Sequence, residues 1–257
     1  MRVVLFGGDR TATCRVLKYM LEKNIDIVAC VYEEQENGLL HELCEQYKIL
    51  SYNAENMYLA LKNESFPQFD LGISYLYRKI LKKEIIKFAN QNIINFHPAP
   101  TEVHRGVAAC CYCLLNNYKS WAVTAHFVTE GIDDGDIILQ RKFPLRDGLT
   151  GLEAEKLIQQ ESYMLFCDVL ELFINNHKIP RKKQPDFSGV YYSKKQMELD
   201  KQVHMDDNLS TIDAKIKAFW FPPYQGAYIE IQGKKYSLVN EEIIEKINED
   251  HKRLEES

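Results

Sequence analysis

Short apolar segments alternate with amphipathic segments over residues 1–97, and this alternation restricts the fold more than any other feature of the chain. The pattern predicts repeated strand–helix pairs, which are typical of an open α/β sheet with helices on both faces. We therefore expect a doubly wound, mostly parallel sheet. The predicted strands are Arg2–Phe6, Asp26–Tyr32, Lys48–Tyr52, Phe69–Ser74 and Ile93–Phe96. The predicted helices are Thr11–Leu21, Leu39–Tyr47, Met57–Lys62 and Leu81–Phe88.

The fifth predicted strand carries polar side chains to its carboxyl end, which is where ligands bind in sheets of this kind. Alternation places Asn95 and His97 on one face of the strand and Phe96 on the other. Pro98 then takes the chain out of the sheet. The stretch Gly131–Ile137 adds a carboxylate from a glycine-flanked loop after another predicted strand. An amide, an imidazole and a carboxylate suit acyl transfer to an amine, because they provide an oxyanion donor, a proton carrier and a group that orients the carrier.

Two motifs carry a family resemblance. The spacing of Asn95–Pro98 and Asp133–Gly135 resembles that of the 10-formyltetrahydrofolate-dependent formyltransferases, and the resemblance extends over residues 1–145. It implies a formyltransferase-type, Rossmann-like fold and transfer of a formyl group from 10-formyltetrahydrofolate to an amine. It also implies that Asn95, His97 and Asp133 are the catalytic residues.

The choice of Asp133 comes from the resemblance alone. Asp134 and Asp136 lie in the same stretch, and spacing by itself leaves all three carboxylates open. The family's Asp-x-Gly pattern selects Asp133. In this role we expect Asp133 to orient the imidazole of His97 and to raise its pKa.

The resemblance further implies a folate pocket formed largely by backbone groups. The segment Ser74–Ile80 leaves a strand at the same edge, and the aspartate-bearing loop forms the other part. Simple packing of the first segment is the alternative interpretation. The implied pterin-pocket residues are Leu76, Tyr77, Ile80, Asp134 and Gly135.

The acceptor is predicted from two further segments. In Thr101–Gly106 the family's Leu-Pro-x-Tyr-Arg-Gly pattern keeps Arg105 but has His104 in place of an aromatic hydroxyl. A guanidinium can bind a phosphate or carboxylate through two hydrogen bonds, which would make Arg105 a substrate contact. A structural ion pair is the alternative interpretation of Arg105. The block Phe219–Tyr224 resembles that of formyltransferases acting on nucleotide-linked amino sugars in surface glycan synthesis. The predicted substrate-binding residues are His104, Arg105, Trp220 and Tyr224, with a role in the core as the alternative for the two aromatics.

Charge and the catalytic residues bear on the alternative functions. A methionyl-tRNA formyltransferase is disfavoured by the net charge of −5, because nucleic-acid binders have basic surfaces. A glycinamide ribonucleotide formyltransferase normally lacks an added domain. A non-catalytic folate- or nucleotide-binding regulator does not need the three polar residues. The predicted partners are a folate and a nucleotide-linked amino sugar, without nucleic acid or membrane, and a homodimer is left open.

Cysteines and apolar runs bear on the compartment and on metals. The seven cysteines, the absence of a signal pattern at Met1–Leu5 and the lack of a run near the ~20 residues that span a bilayer predict a cytoplasmic protein with reduced thiols. Cys110, Cys111 and Cys113 fall on different faces of a predicted helix, and no second Cys-x-x-Cys accompanies them. We interpret them as buried packing residues and predict no metal.

Two further features allow two interpretations each. Gly7 and Gly8 follow the first strand, but no complete G-x-G-x-x-G is present, so we interpret them as a plain turn, with a dinucleotide site as the alternative. His126 lies in a predicted strand, Ala122–Val128, and is interpreted as structural, with a second catalytic base as the alternative.

The chain is predicted to form two domains. Residues 1–175 form the catalytic domain and end with a long amphipathic helix, Gly151–Ile174. Residues 186–257 form a small, mostly β accessory domain with a hairpin within Tyr228–Val239. Residues 175–185, with the basic triplet Arg181–Lys183, are interpreted as a solvated linker.

Overall fold

The computed structural model describes residues 1–8, 10–33, 38–175 and 177–255, with side chains described up to residue 249. The strands are β1 (Arg2–Gly7), β2 (Asp26–Tyr32), β3 (Ser51–Asn53), β4 (Leu71–Tyr75), β5 (Ile93–His97), β6 (His104–Gly106), β7 (Ser120–Phe127), β8 (Ile137–Pro144), β9 (Val190–Tyr192), β10 (Gln202–Val203), β11 (Tyr228–Ile231) and β12 (Lys234–Ser237). The helices are α1 (Thr11–Glu22), α2 (Leu39–Tyr47), α3 (Ala54–Lys62), α4 (Lys83–Phe88), α5 (Ala109–Leu115), α6 (Gly151–Ile174), α7 (Lys194–Asp200), α8 (Leu209–Phe219) and α9 (Glu241–Glu255).

The main sheet has the topology that the sequence predicts. Within the described residues it contains seven strands in the order β3-β2-β1-β4-β5-β7-β8. The pairs from β3 to β5 are parallel, and β7 runs antiparallel to β5. After β3 the chain returns to the other side of β1 and continues outward through β4 and β5. This reversal confirms the doubly wound, mostly parallel sheet and predicts ligand binding at the carboxyl ends of its strands.

The two faces of the sheet are covered by different apolar groups. On one face a cluster that includes Val4, Phe6 and Ile85 is fully buried. On the other face Phe96 packs against Phe166 of α6, with ring centroids 5.5 Å apart. Complete burial of a side chain of this size contributes about 1.5–3 kcal/mol to the free energy of unfolding. Phe96 is therefore held in the core, and the alternate residues of β5 face the opposite side.

The strand register aligns polar residues across three neighbouring strands. Asn95 in β5 pairs with Ser74 in β4 on one side and with His126 in β7 on the other. Directly paired residues place their side chains on the same face of a sheet. Ser74, Asn95 and His126 therefore form a polar row, which we call the strand row.

Contacts divide the chain into two compact units. The sheet unit comprises Met1–Arg105, Ala122–Arg141 and Gln159–Gly189, and the C-terminal unit comprises Gly106–Trp121, Lys142–Ile158 and Val190–Ser257. The C-terminal unit contains the expected small sheet, in the order β10-β11-β12, together with α7, α8 and α9. Its described core includes Val203, Ile216, Ala227 and Ile243. The predicted division into residues 1–175 and 186–257 stays a prediction.

None of the helices in the described residues is both long and apolar enough to span a membrane.

The predicted linker, residues 175–185, is mostly exposed where it is described. It is nevertheless fastened to the sheet unit, because Lys182 and Ile137 exchange two backbone hydrogen bonds of 2.8 and 2.9 Å. The stretch is therefore solvent-exposed, as predicted, and it is also paired with β8 through Lys182.

Candidate active site

The side chain of Asn95 is oriented by its two neighbours in the strand row. The hydroxyl of Ser74 donates to Asn95 Oδ1 at 3.0 Å. The amide nitrogen of Asn95 lies 3.3 Å from His126 Nε2 and 3.4 Å from Asp133 Oδ1. Because the carboxylate of Asp133 only accepts hydrogen bonds, the NH₂ group must face Asp133 and His126, and the oxygen then accepts from Ser74. Asn95 is thus a preoriented donor at the carboxyl edge of the sheet.

His126 is buried, and one ring atom has an unambiguous partner. Its Nδ1 lies 2.9 Å from the carbonyl oxygen of Phe127, which only accepts hydrogen bonds. In the neutral ring this contact assigns the hydrogen to Nδ1 and leaves Nε2 as an acceptor for the amide of Asn95. His126 thus has the hydrogen-bonded surroundings expected of a structural histidine. It also lies at the site, with Nε2 3.5 Å from Asp133 Oδ1.

His97 has the opposite arrangement of ring nitrogens. Its Nε2 lies 3.2 Å from the carbonyl oxygen of His104, so Nε2 carries the hydrogen. Its Nδ1 lies 3.5 Å from Asp133 Oδ1. A lone pair on Nδ1 would face a carboxylate, so this is the ring atom at which a proton is gained and lost. Asn95, His97 and Asp133 therefore converge at one point.

The net direction of the pKa of His97 differs from the expected one. Burial lowers this pKa below the usual histidine value, and the neighbouring His126 and Arg105 lower it further. The Asp133 carboxylate and the hydrogen bond to the His104 carbonyl raise the pKa but do not offset burial. Asp133 therefore raises the pKa as expected, but burial outweighs it because His97 is only 4% exposed and desolvation disfavours a charged ring. A lowered pKa favours the neutral imidazole, which is the form that can accept a proton.

Asp133 lies in a loop whose backbone is unusual. Its φ is +50°, in the left-handed region that non-glycine residues seldom adopt. Two residues later, a Cβ on Gly135 would lie 1.8 Å from the carbonyl oxygen of Phe127, so only glycine fits. Asp134 is exposed, and its carboxylate accepts a hydrogen bond from the hydroxyl of Thr129. The loop thus directs Asp133 toward His97 and leaves Asp134 facing outward.

Gln184 holds this loop from outside it. Its amide nitrogen donates to the carbonyl oxygen of Asp133 at 3.0 Å and to that of Gly135 at 2.7 Å. Its oxygen accepts a hydrogen bond from Arg105 Nη2 at 3.1 Å. The sequence interpretation missed Gln184, because nothing in a mostly polar, predicted linker distinguishes it. Ser74 was also missed; its signal was a lone hydroxyl within an apolar strand.

The predicted folate residues follow the carboxyl end of β4 or lie in the loop that carries Asp133. Leu76 has φ +54°, and its carbonyl oxygen comes so close to Gly8 that a Cβ there would lie 2.4 Å away. This close approach accounts for Gly8 without a dinucleotide. Tyr77 is half-buried, with its ring 6.0 Å from that of Phe6, and burial raises its pKa. Ile80 is 74% exposed.

His104 and Arg105, predicted to contact the acceptor, have internal partners. His104 is buried, and its ring is stacked on that of His97 with centroids 6.1 Å apart. Arg105 donates from Nε to the carbonyl oxygen of Thr101 at 3.2 Å, and its guanidinium lies 4.3 Å from the centre of the Phe187 ring. Arg105 therefore has a structural environment, made of hydrogen bonds and a ring.

Trp220 and Tyr224 lie in the C-terminal unit and differ in burial. Trp220 is partly buried against the core that includes Ile216 and Ile243. Tyr224 is 63% exposed, with its ring 5.7 Å from that of Phe221. Packing accounts for Trp220, whereas Tyr224 presents an aromatic surface to solvent. Their predicted contacts with substrate stay predictions.

The structure shows the state of the cysteines and the arrangement of possible metal ligands. All seven cysteines are free, and Cys110, Cys111 and Cys113 are buried, which confirms the interpretation of these three as packing residues. Among the described residues, no group of three or more His, Cys, Asp or Glu is arranged to hold a metal ion. The prediction of a reaction without metal stays a prediction.

Comparison with known proteins adds a family and a fold. The formyl transferase family model matches residues 11–170, more than half of the chain. A methionyl-tRNA formyltransferase from Syntrophomonas wolfei is 27% identical over 249 residues, which cover 93% of this chain and 78% of that protein. The chain is similar to an N-formyltransferase from Helicobacter canadensis, solved with folinic acid and dTDP-3-aminofucose, with TM-score 0.74 and 22% identity over 91% of this chain and 86% of that one. A 4-N formyltransferase from Francisella tularensis gives TM-score 0.75 and 20% identity over 93% and 97%.

The solved proteins are only 20–22% identical to this chain, so their similarity shows the fold alone. The family match bears on the chemistry, because members of this family use formyl-folate donors. An amide donor, a buried imidazole and a carboxylate at the ligand-binding edge of the sheet are consistent with that chemistry. The chain belongs to the formyl transferase family and is a formyl-transferring enzyme.

Proposed function

We propose that this enzyme transfers a formyl group from 10-formyltetrahydrofolate to the amine of a nucleotide-linked amino deoxysugar, in surface glycan synthesis. The observation that carries the chemistry is the convergence of Asn95, His97 and Asp133 at the carboxyl edge of the sheet. Asp133 Oδ1 lies 3.4 Å from the amide nitrogen of Asn95 and 3.5 Å from Nδ1 of His97. The likeness to solved sugar N-formyltransferases over nearly their whole length supports the choice of acceptor.

Asn95 is the oxyanion donor in this mechanism. Attack of the amine on the formyl carbon moves a negative charge onto the formyl oxygen. The NH₂ group of Asn95 has two hydrogens, and Asp133 and Ser74 together orient the amide before any substrate binds. His126 Nε2 and Asp133 Oδ1 lie only 3.5 Å apart, so one hydrogen can serve both, and the mechanism assigns the other hydrogen to the developing charge. A preoriented donor of this kind contributes about 10²–10³ to the rate.

His97 carries the proton between the two nitrogens. A bond forms between the amine nitrogen and the formyl carbon, and the bond from that carbon to the folate nitrogen breaks. Nδ1 of the neutral His97 accepts the proton that the amine loses and gives it to the folate nitrogen as it leaves. Asp133 stabilises the imidazolium in between, because its Oδ1 lies 3.5 Å from Nδ1. The carbonyl of His104 keeps Nε2 in its hydrogen-bonded state throughout.

The folate is proposed to bind beside Leu76, Tyr77 and Ile80, with Asp134 and Gly135 on the loop. Ile80 supports this assignment because an isoleucine that is 74% exposed offers apolar surface to a pterin. Leu76, with its left-handed backbone, directly follows β4 at the strand end where ligands bind in such sheets.

Charge and aromatic surface support a nucleotide sugar as the class of acceptor. A chain with net charge −5 attracts a large polyanion weakly, whereas one diphosphate needs few cations. In the C-terminal unit, the exposed ring of Tyr224 lies beside the partly buried Phe221 and offers an aromatic surface of the kind that stacks on a base or sugar.

Methionyl-tRNA formyltransferase is the second candidate. The relative from Syntrophomonas wolfei favours it, because that protein is 27% identical and 93% of this chain is covered. Both candidates use the same donor and the same chemistry at Asn95, His97 and Asp133. They differ only in the molecule that carries the amine.

A side-by-side acceptor assay tests the proposal. The purified protein is given 10-formyltetrahydrofolate with a panel of nucleotide-linked amino sugars or with charged initiator tRNA, and products are detected by mass. We expect formylation of a nucleotide sugar, inhibition by a free nucleoside diphosphate that is competitive with that sugar, and no formyl-methionyl-tRNA. His97→Ala is the negative control. Formylation of the tRNA with no turnover on the panel would overturn the acceptor and leave the chemistry.

A further inference from the structure

The position of the Asp133 carboxylate depends on a contact outside its own loop. With φ +50° at Asp133, the backbone adopts a conformation that needs support from its surroundings. The carbonyl oxygens of Asp133 and Gly135 both accept hydrogen bonds from the side-chain amide of Gln184. Both hydrogens of the Gln184 NH₂ group are used in these two bonds.

Arg105 determines which way the Gln184 amide points. A guanidinium only donates hydrogen bonds, so the Gln184 atom 3.1 Å from Arg105 Nη2 must be the oxygen. The NH₂ group then faces the loop. Arg105 is itself held by the carbonyl of Thr101 and by the ring of Phe187. The chain of contacts therefore runs from Arg105 through Gln184 to the backbone of Asp133.

The segment that carries Gln184 is fastened on both sides of this residue. Lys182 pairs with Ile137, the first residue of β8, immediately after the Asp133 loop. The guanidinium of Arg181 lies 3.6 Å from the centre of the Phe127 ring, at the end of β7 before the loop. The segment thus spans the two strand ends that bracket the loop, and Gln184 reaches the loop between them.

We infer that Gln184 and Arg105 are positioning residues that hold the Asp133 carboxylate against Nδ1 of His97. The inference rests on the catalytic roles proposed for Asp133 and His97, but not on the identity of the acceptor. It replaces the predicted phosphate contact of Arg105 with a role inside the protein.

The test follows His97 itself by NMR titration of its ring in the full-length protein. Gln184→Met keeps the length and neutral charge of the side chain and removes both amide donors. Lys183→Ala, an exposed neighbour on the same segment, is the matched control. Asp133→Asn gives the end point at which the carboxylate charge is absent. The ring signal is assigned by its loss in His97→Ala.

Since Asp133 raises the pKa of His97, a displaced carboxylate leaves that pKa lower. We expect the midpoint in Gln184→Met to move from the wild-type value toward that of Asp133→Asn, and Lys183→Ala to match wild type. A crystal structure of Gln184→Met should show Nδ1 and Oδ1 farther apart than 3.5 Å. A wild-type midpoint together with an unchanged separation would overturn the inference.

Kinetics separate positioning from substrate contact. With any acceptor that the wild-type enzyme formylates, Gln184→Met should lower kcat by about 10²-fold, as a displacement near 1 Å does, with little change in acceptor KM. Arg105→Lys keeps the charge but loses the planar guanidinium that donates to Thr101 and Gln184. It should lower kcat in the same way. A rise in acceptor KM alone in Arg105→Lys would return Arg105 to the substrate and overturn its part. If no nucleotide sugar is formylated while the His97 titration responds as expected, only the proposed acceptor fails.

Discussion

Asn95 and Asp133 meet in one site but are held there by different kinds of structure. Asn95 lies at the centre of the strand row, where β4 and β7 supply Ser74 and His126 as directly paired neighbours. Asp133 lies in a loop with a left-handed backbone and depends on Gly135 and Gln184 for its position. One group is set by the register of a sheet, and the other by contacts that are remote in sequence.

The difference bears on how each half of the site responds to substitution. A strand keeps its side chains in place through regular backbone pairing, so losing one neighbour has a limited effect. The loop has no ladder of its own, and a single side chain 51 residues from Asp133 supplies two of its hydrogen bonds. Substitutions far from the chemistry are therefore expected to act through the loop more than through the strand row.

The largest effect is expected at His97, where the strand and the loop meet. His97→Ala removes the proton carrier and should lower kcat by about 10²–10⁴, the usual contribution of general acid–base catalysis. Turnover with 10-formyltetrahydrofolate and circular dichroism measure activity and fold together. Near wild-type turnover in a folded variant would refute the role of His97.

Removing the donor in the strand row should cost less. Asn95→Ala is expected to lower kcat by about 10²–10³, because the oxyanion loses one preoriented donor. The KM for the formyl donor should change little, since the interaction forms in the transition state. A variant that raises KM at unchanged kcat would instead make Asn95 a binding residue.

The loop can be displaced without touching any catalytic side chain. In Gly135→Ala the new Cβ would lie 1.8 Å from the backbone oxygen of Phe127, so the loop must move. We expect kcat to fall by about 10²-fold, as expected for a displacement near 1 Å. Gly148→Ala is the control: its φ of +76° makes it strained, but its surroundings are open. It should lower Tm while leaving kcat as in wild type, and equal kcat in both variants would mean that the loop tolerates displacement.

A smaller effect is expected when the strand row loses its outer member. Ser74→Ala removes the donor that fixes the Asn95 oxygen, while the register still holds the Asn95 backbone. One such hydrogen bond contributes about 1 kcal/mol, so kcat should fall by about tenfold or less. Ser74→Thr keeps the hydroxyl and should recover most of the activity. A loss as large as that of Gly135→Ala would remove the contrast between strand and loop.

The pH dependence shows how both halves act on His97. Its pKa is lowered by burial despite Asp133, with His126 and Arg105 lowering it further. The acid limb of kcat/KM should therefore lie below the usual histidine pKa of about 6.5, because the neutral ring is the active form. Folding stability should also fall as pH drops below about 6.5, since the unfolded chain binds the proton more readily. An acid limb above that value would mean that Asp133 outweighs burial.

The periodicity of the first 97 residues predicted the fold class and the strands and helices from β1 to β5, because apolar spacing is a local property. Boundaries moved by a few residues; β5 extends to His97, for example. The motif at Asn95–Pro98 identified the strand end of the site. Choosing Asp133 among three nearby carboxylates needed the family resemblance, because spacing did not separate them.

The sequence by itself therefore determined the fold class, the family resemblance and the three residues expected to carry the chemistry. Only the tertiary structure decided how these groups are oriented and charged. The Asn95 amide is set by strands that are separated in the chain, and the loop of Asp133 by Gln184. The pKa of His97 falls because burial outweighs its carboxylate. Desolvation and long-range hydrogen bonds depend on which distant segments come together, and local patterns of residues do not contain that information.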